Sequence, residues 1–169
     1  MKEVAAVIKQ GYRVASGRAL DGHDQRFNED GGTIRLQIPK FRALGLDMEA
    51  YFGGRVDEAF VAGTLGCDIS PRRMTILRPE YHLKSVRWTD KFDSGRPGFT
   101  EDFYLSEAAI RFDGKSFRAL IYIPSPDTKP AHFHPPTTIE VIAQKIDGVK
   151  YGDRVTLLYA PEAIRIDDP

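Results

Sequence analysis

Apolar and polar positions alternate with a period of two along much of this chain, and patterns with a 3.6-residue repeat are few. The clearest unit is a hairpin. Residues 108–112 and 115–123 flank Asp113-Gly114, a dipeptide that accepts the positive φ angles of a two-residue turn. Upstream, Thr33-Ile34-Arg35-Leu36-Gln37-Ile38 alternates without a fault, which predicts a half-buried strand ended by Pro39. Residues 12–16 read as a first strand closed by Gly17, and 59–62 and 64–69 as strand material around Gly63. Residues 74–77 and 81–88 are further strand candidates, while 3–10 fit either a short helix or an edge strand. Phe41, Leu44, Leu46, Met48 and Phe52 predict a short irregular helical segment up to Gly53-Gly54. The run 138–146 and the segment 154–159, after the turn Tyr151-Gly152-Asp153, supply the last strands.

Between these runs lie three long connections. Residues 18–32 are polar and carry Asp21-Gly22 and Asn28-Glu29-Asp30-Gly31-Gly32, the chemistry of an excursion with positive-φ positions. Residues 93–98 have turn chemistry at almost every position. Residues 124–136 are stiffened by prolines, which fix φ, remove backbone donors and keep the segment extended. Many short strands without strand–helix alternation predict a mainly β domain: a small, closed antiparallel barrel with one or two short helices. Residues 1–169 read as a single domain, with 78–103 standing out as a candidate insertion.

Composition narrows the class. Hydrophobic residues make up 41% and charged residues 28%, an ordinary globular balance. The 24 basic and 24 acidic side chains cancel, so neither a nucleic-acid nor a membrane partner is expected, and a small molecule is. No apolar run approaches the roughly 20 residues of a membrane span, and the N-terminal apolar stretch is too short for a signal peptide. The lone cysteine, Cys67, cannot form an intramolecular disulfide and fits a reducing cytoplasm; between apolar neighbours it is expected to be inert.

The chemistry-bearing residues fall into three groups. The C-terminal third carries Pro130-Ala131-His132-Phe133-His134-Pro135-Pro136-Thr137-Thr138-Ile139-Glu140-Val141-Ile142-Ala143, a rigid loop with two histidines running into a β-branched strand with one carboxylate inside it. An acid there is costly to bury without a partner, which makes the stretch the leading site candidate. His132 and His134, two apart, have the spacing of paired metal ligands on a strand, with Glu140, His82 or Asp68 as a third; loop packing is the plainer alternative. Ser16-Gly17-Arg18 and Gly31-Gly32-Thr33 offer backbone N–H groups, hydroxyls and a guanidinium, the parts that hold phosphate oxygens. They match neither the Walker pattern nor the dinucleotide fingerprint, since no helix is expected after these glycines; plain turn glycines are the alternative. Thr64, beside Gly63, is placed either to touch a ligand oxygen or Mg²⁺, or as a strand threonine at a bulge. Trp88, Phe92, Phe99 and Phe103 would line a flat pocket or fill the core.

In their order along the chain, Val14-Ala15-Ser16-Gly17, Leu36-Gln37-Ile38-Pro39, Gly63-Thr64-Leu65-Gly66, His134 with Glu140-Val141-Ile142-Ala143, and Gly152-Asp153-Arg154-Val155-Thr156-Leu157 are similar to the motifs of one family. The sequence resembles the archaeal CTP-dependent riboflavin kinases, cradle-loop barrels unrelated to the P-loop kinases. The departures are a glycine where that family has asparagine after Gly-Thr-Leu (Gly66 here), about ten additional residues in the first glycine loop, and the segment 78–103.

The resemblance implies transfer of a phosphoryl group from CTP to the 5′-hydroxyl of riboflavin, giving FMN. It implies that Ser16, Gly17, Arg18, Gly31, Gly32 and Thr33 hold the nucleotide, with Mg²⁺ at Thr64. His134 and Thr137 would contact the substrate and Glu140 would take the hydroxyl proton. Two other classes stay open: a barrel that binds a small ligand or nucleotide without turnover, and a metal-dependent barrel enzyme built on His132 and His134.

Overall fold

The computed structural model describes residues 1–92, 98–129 and 133–169. In chain order it comprises β1 (Lys2–Lys9), α1 (Thr33–Ala43), α2 (Met48–Phe52), β2 (Leu65–Asp68), β3 (Arg73–Ile76), β4 (Tyr81–Val86), β5 (Glu101–Phe112), β6 (Lys115–Pro124), β7 (Thr138–Ala143), β8 (Arg154–Tyr159) and β9 (Ile164–Asp167). Strands β5, β6, β7, β2, β1 and β8 are hydrogen-bonded in that order, and β8 pairs back onto β5. Six antiparallel strands therefore close into a barrel, and closure removes the exposed edges that an open sheet would present. Strands β3 and β9 form a separate two-stranded ribbon.

The length of β5 lets one strand serve two partners. Residues 101–105 pair along one edge with β4, residues 108–111 along the same edge with β8, and the opposite edge pairs with β6. At the β5–β6 turn, Asp113 and Gly114 have φ of 48° and 71°, the left-handed pair that a two-residue hairpin requires.

Two apolar cores flank this sheet. Val4, Ala6, Ile8, Cys67, Ala108, Ile110, Ala119, Ile121, Ile139, Val141, Val155 and Leu157 fill the barrel interior. On the outer face of β5–β6–β7, Phe103, Leu105, Leu120, Tyr122 and Ile142 pack under Ile34, Ile38 and Phe41 of α1, Met48 and Phe52 of α2, and Phe27, Phe60 and Trp88. With both faces covered, β6 reads as a nearly unbroken apolar run from Ala119 to Ile123.

Several sequence expectations are corrected. The segment 33–38 is the first half of helix α1, with Thr33, Ile34, Gln37, Ile38 and Phe41 buried at helical spacing. Its alternation of Ile34, Leu36 and Ile38 satisfied both periods, and packing chose the helix. Pro39 lies inside that helix, on its exposed side, where the carbonyl it leaves unbonded can meet water. A helix thus does begin straight after Gly31-Gly32. Residues 12–16 form no strand: 14–17 are a turn, with Arg13 at φ 61° before it, and 59–62 are bridged at Phe60 only. The ambiguous N-terminus is a barrel strand, β1, and the short β9 had not been expected. No helix among the described residues is long and apolar enough to cross a membrane.

Ser106 shares the inward parity of Ala108 and Ile110, is 1% exposed, and its hydroxyl has no hydrogen-bond partner among the described residues. A buried, unpaired hydroxyl forfeits its hydration without return, so Ser106→Ala is expected to stabilise the fold by about 1 kcal/mol. Urea denaturation would show a higher midpoint at unchanged slope; a lower midpoint would mean that the hydroxyl is satisfied.

Candidate functional site

The register of β2 on β7 creates the centre of the site. Gly66 lies directly opposite Glu140, leaving the carboxylate without a facing side chain. Thr64, two residues earlier, reaches across diagonally, and its Oγ1 donates to Glu140 Oε1 at 2.9 Å. From the proline loop, His134 brings Nε2 to 3.4 Å from Glu140 Oε2. The histidine ring in turn packs against Tyr12, with centroids 5.3 Å apart. Glycine at 66 also answers a backbone demand, because a Cβ there would come within 3.0 Å of the Lys9 carbonyl on β1.

Glu140 opens into a cavity of about 220 Å³ on the outer face of the barrel, below α1. Ser16, Thr33, Thr64, His134 and Glu140, expected from sequence, all line it. The segments before β2 and α1 are drawn together there, since a Cβ on Gly63 would meet that of Ser16 at 2.9 Å. A second cavity of about 320 Å³ adjoins the first, sharing Tyr122, Pro124, Lys129, His134, Thr138 and Glu140 with it.

Gly17, Arg18, Gly31, Gly32 and Thr137 do not line either cavity. The glycines among them let chain segments approach closely. A Cβ on Gly32 would lie 2.1 Å from the Ala15 carbonyl, and one on Gly17 2.5 Å from the Gly31–Gly32 peptide. The N–H groups expected to cradle phosphate are committed to carbonyls: Gly17 to Val14, Arg18 to Arg13, Gly31 to Asn28, Gly32 to Phe27 and Thr33 to Val14. Arg18 is exposed. Thr137 instead offers its carbonyl to the Ile69 N–H, tying the proline loop to β2. His132 lies outside the described residues, and no cluster of three or more histidine, cysteine or acidic residues suited to a metal occurs among those described.

Sequence reasoning missed four further residues of the cavity wall: Gln37 of α1, Glu101 at the start of β5, Tyr122 of β6, and Lys129. Of the aromatic candidates, Trp88 and Phe92 are wall, Phe103 is core, and Phe99 packs edge-on against Phe92. Glu101 is only 4% exposed, and one of its oxygens, Oε2, accepts from Trp88 Nε1 at 3.0 Å. Tyr122 Oη donates to Gln37 Oε1 at 2.9 Å. Two hydrogen bonds stitch the turn carrying Lys129 to the start of β5: Ser125 N–H to the Asp102 carbonyl, and Asp102 N–H to Thr128 Oγ1. A signal for Glu101 was present, since it shares strand parity with Phe103 and Leu105. Gln37 became visible only once 33–43 was known to be helical.

The electrostatics follow from burial of unlike groups together. Burial pushes the Glu101 carboxyl up to about 7, with the Trp88 N–H and the nearby Lys129 holding it back. Burial lowers Lys129 from its ordinary value, opposed by Glu140 and Glu101. The Tyr122 phenol is raised well above 10 by burial and by the two carboxylates, so it stays a donor to Gln37. Burial likewise pushes the Cys67 thiol up to about 12, which makes it inert.

Glu101 makes stability depend on pH. Its carboxyl goes from 4.5 to about 7 on folding, so the folded chain keeps a proton that the unfolded chain has already released. The stabilisation is complete below about pH 4.5 and is lost as pH rises toward 7, in total roughly 3 kcal/mol. Glu101→Gln is expected to flatten the difference in unfolding free energy between pH 5 and pH 8; an unchanged difference would assign the effect to other groups. No family model matches the chain, and no match is found among the curated proteins.

Proposed function

We propose that this barrel is a riboflavin-kinase-like transferase that moves a phosphoryl group from CTP to riboflavin. The observation that carries the reading is convergence: Ser16, Thr64, and the pair His134 and Glu140, from three separate stretches of sequence, line one cavity, with Thr64 bonded to Glu140 at 2.9 Å. Two adjoining cavities that share Glu140 suit a reaction of two substrates. Trp88, Phe92 and Tyr122 offer ring faces and edges to a planar group.

In this reading Glu140 takes the proton of the riboflavin 5′-hydroxyl as its oxygen bonds to the γ-phosphorus, and CDP leaves. Thr64 and His134 orient the carboxylate for that task. Phosphoryl transfer asks mainly for positioning and charge neutralisation, so few side chains need unusual chemistry. The hydroxyls of Ser16 and Thr33 and the cationic Lys9 and Arg13 line the cavity and would meet the phosphates, since the glycine N–H groups are already paired. Thr64 Oγ1 and the Glu140 carboxylate form an all-oxygen donor set, which fits Mg²⁺ bound through one carboxylate and substrate phosphates. Thr64 would hold the ion, and the ion would neutralise phosphate charge. The same reading places the protein in a reducing cytoplasm, in keeping with a single, buried cysteine.

One observation favours a second reading, a barrel that binds a flavin or nucleotide without turnover. The N–H groups of Gly17, Arg18, Gly31, Gly32 and Thr33 in the expected phosphate cradle are already paired, and Gly66 supplies no side-chain amide oxygen beside Glu140.

Incubation with riboflavin, Mg²⁺ and CTP, with product resolved by chromatography, is expected to yield FMN. Glu140→Gln should lower kcat by about 100-fold or more while leaving riboflavin binding within a few-fold of native. Equal silence with CTP, ATP and GTP would remove the kinase reading. A rise in melting temperature with ligand, without product, would establish the binding module instead.

A further inference from the structure

The buried part of the cavity carries hydrogen-bonding capacity that the protein itself does not use. Gln37 is 1% exposed, and its amide oxygen is taken by the Tyr122 hydroxyl. Its amide nitrogen has no partner among the described residues, yet the side chain lines the cavity. Glu101 is in the same position: 4% exposed, one oxygen fixed by the Trp88 N–H, the other without a donor among the described residues. Lys129 stands close enough to feel both Glu101 and Glu140, and its ammonium group makes no ion pair within 4 Å among the described residues. Polar groups withdrawn from bulk water are nearly always paired, so the free halves of the buried Gln37 and Glu101 and the ammonium of the half-buried Lys129, around a single space, invite a partner from outside.

The donor and acceptor count describes that partner. Gln37 Nε2 and Lys129 Nζ donate, and an ionised Glu101 accepts. The aromatic side chains of Trp88 and Phe92 flank them, their rings 5.8 Å apart and both packed on Phe27. We infer that this part of the cavity holds the imide edge of a planar heterocycle, the carbonyl, N–H, carbonyl sequence found in flavins and uracils, with Gln37 and Lys129 donating and Glu101 accepting. A cytosine edge presents one donor group and two acceptors in a different order, and a guanine edge two donors, so both would leave like groups facing each other. The inference rests on the proposed flavin chemistry and goes further: it fixes which end of riboflavin is buried and leaves the ribityl chain pointing toward Glu140. A site built to bond a substrate N–H rejects an analogue that lacks it, because its own buried acceptor is then stranded.

The test is direct titration of riboflavin and N3-methylriboflavin into the native protein at pH 8, without nucleotide, following flavin fluorescence. Methylation at N3 removes the one donor of the imide edge, and affinity is expected to fall by about tenfold or more. Glu101→Gln turns a donor toward the ring N–H and should abolish the discrimination between the two flavins; Gln37→Leu should weaken both alike. Equal affinity of the native protein for the two compounds, or binding of neither, overturns the assignment while leaving the kinase reading to the FMN assay. Discrimination without FMN formation upholds the assignment and removes the kinase reading.

Discussion

Burial of both faces of β5–β6–β7 is the constraint on which the rest depends. One face closes the barrel interior, and the other presents Phe103, Leu105, Leu120, Tyr122 and Ile142, which must be covered from outside. Each such side chain is worth about 1.5–3 kcal/mol when withdrawn from water, enough that the outer layer must form. It is assembled from α1, α2 and Phe27, Phe60 and Trp88, pieces too short and irregular to tile the sheet completely. Where the tiling fails, between α1 and the edge formed by β7 and β2, the cavity remains. The site is thus mainly a gap in the second, outer core.

This origin explains the character of the walls. A gap in an apolar layer confines the polar groups that face it, and they keep less of their hydration than they would at an open surface. Gln37 and Glu101 each have one bond inside the protein, from Tyr122 and Trp88, and that bond holds the rest of the side chain in place. Orientation is therefore settled before a ligand arrives, which lowers the ordering entropy that binding must offset. Thr64 does the same for Glu140. Rigid positioning of three carbonyl or carboxyl groups by three different donors is the common device of this site.

Much of the barrel could be read from sequence because it follows local rules. Asp113-Gly114 permits only a tight turn, and the alternation around it leaves little choice of strand register. Thr64, His134 and Glu140 were legible as a group because each breaks an apolar or proline-rich context. Helix α1 was not legible, since Ile34, Leu36 and Ile38 serve either period and Pro39 argued for a stop; only the outer core, pulling Gln37 and Phe41 inward, decides it. The phosphate loop was misjudged for a related reason. Glycines at 17, 31 and 32 look like ligand-facing backbone, but their missing side chains make room for one another across 15 residues of loop, and nothing in one strand of sequence announces a contact between two loops.

The two largest departures from the resembled family meet in space. Lys91 ties the loop of residues 18–32 to the segment 78–103 through Glu29, Asp30 and the Arg26 carbonyl, and Phe27 packs against Trp88 and Phe92 beneath that bond. Each segment alone would expose its aromatics; together they form one lobe, and the lobe supplies Trp88, Phe92 and, through β5, Glu101 to the cavity. The motif residues Ser16, Thr64, His134 and Glu140 come from outside that lobe. On the proposed reading, recognition of the ring and handling of the phosphoryl group would draw on separate parts of the chain. On that reading a change in the lobe would alter which planar group is accepted without displacing Glu140 from Thr64, because the β2–β7 register and the hydrogen bond that pair them involve no residue of the lobe.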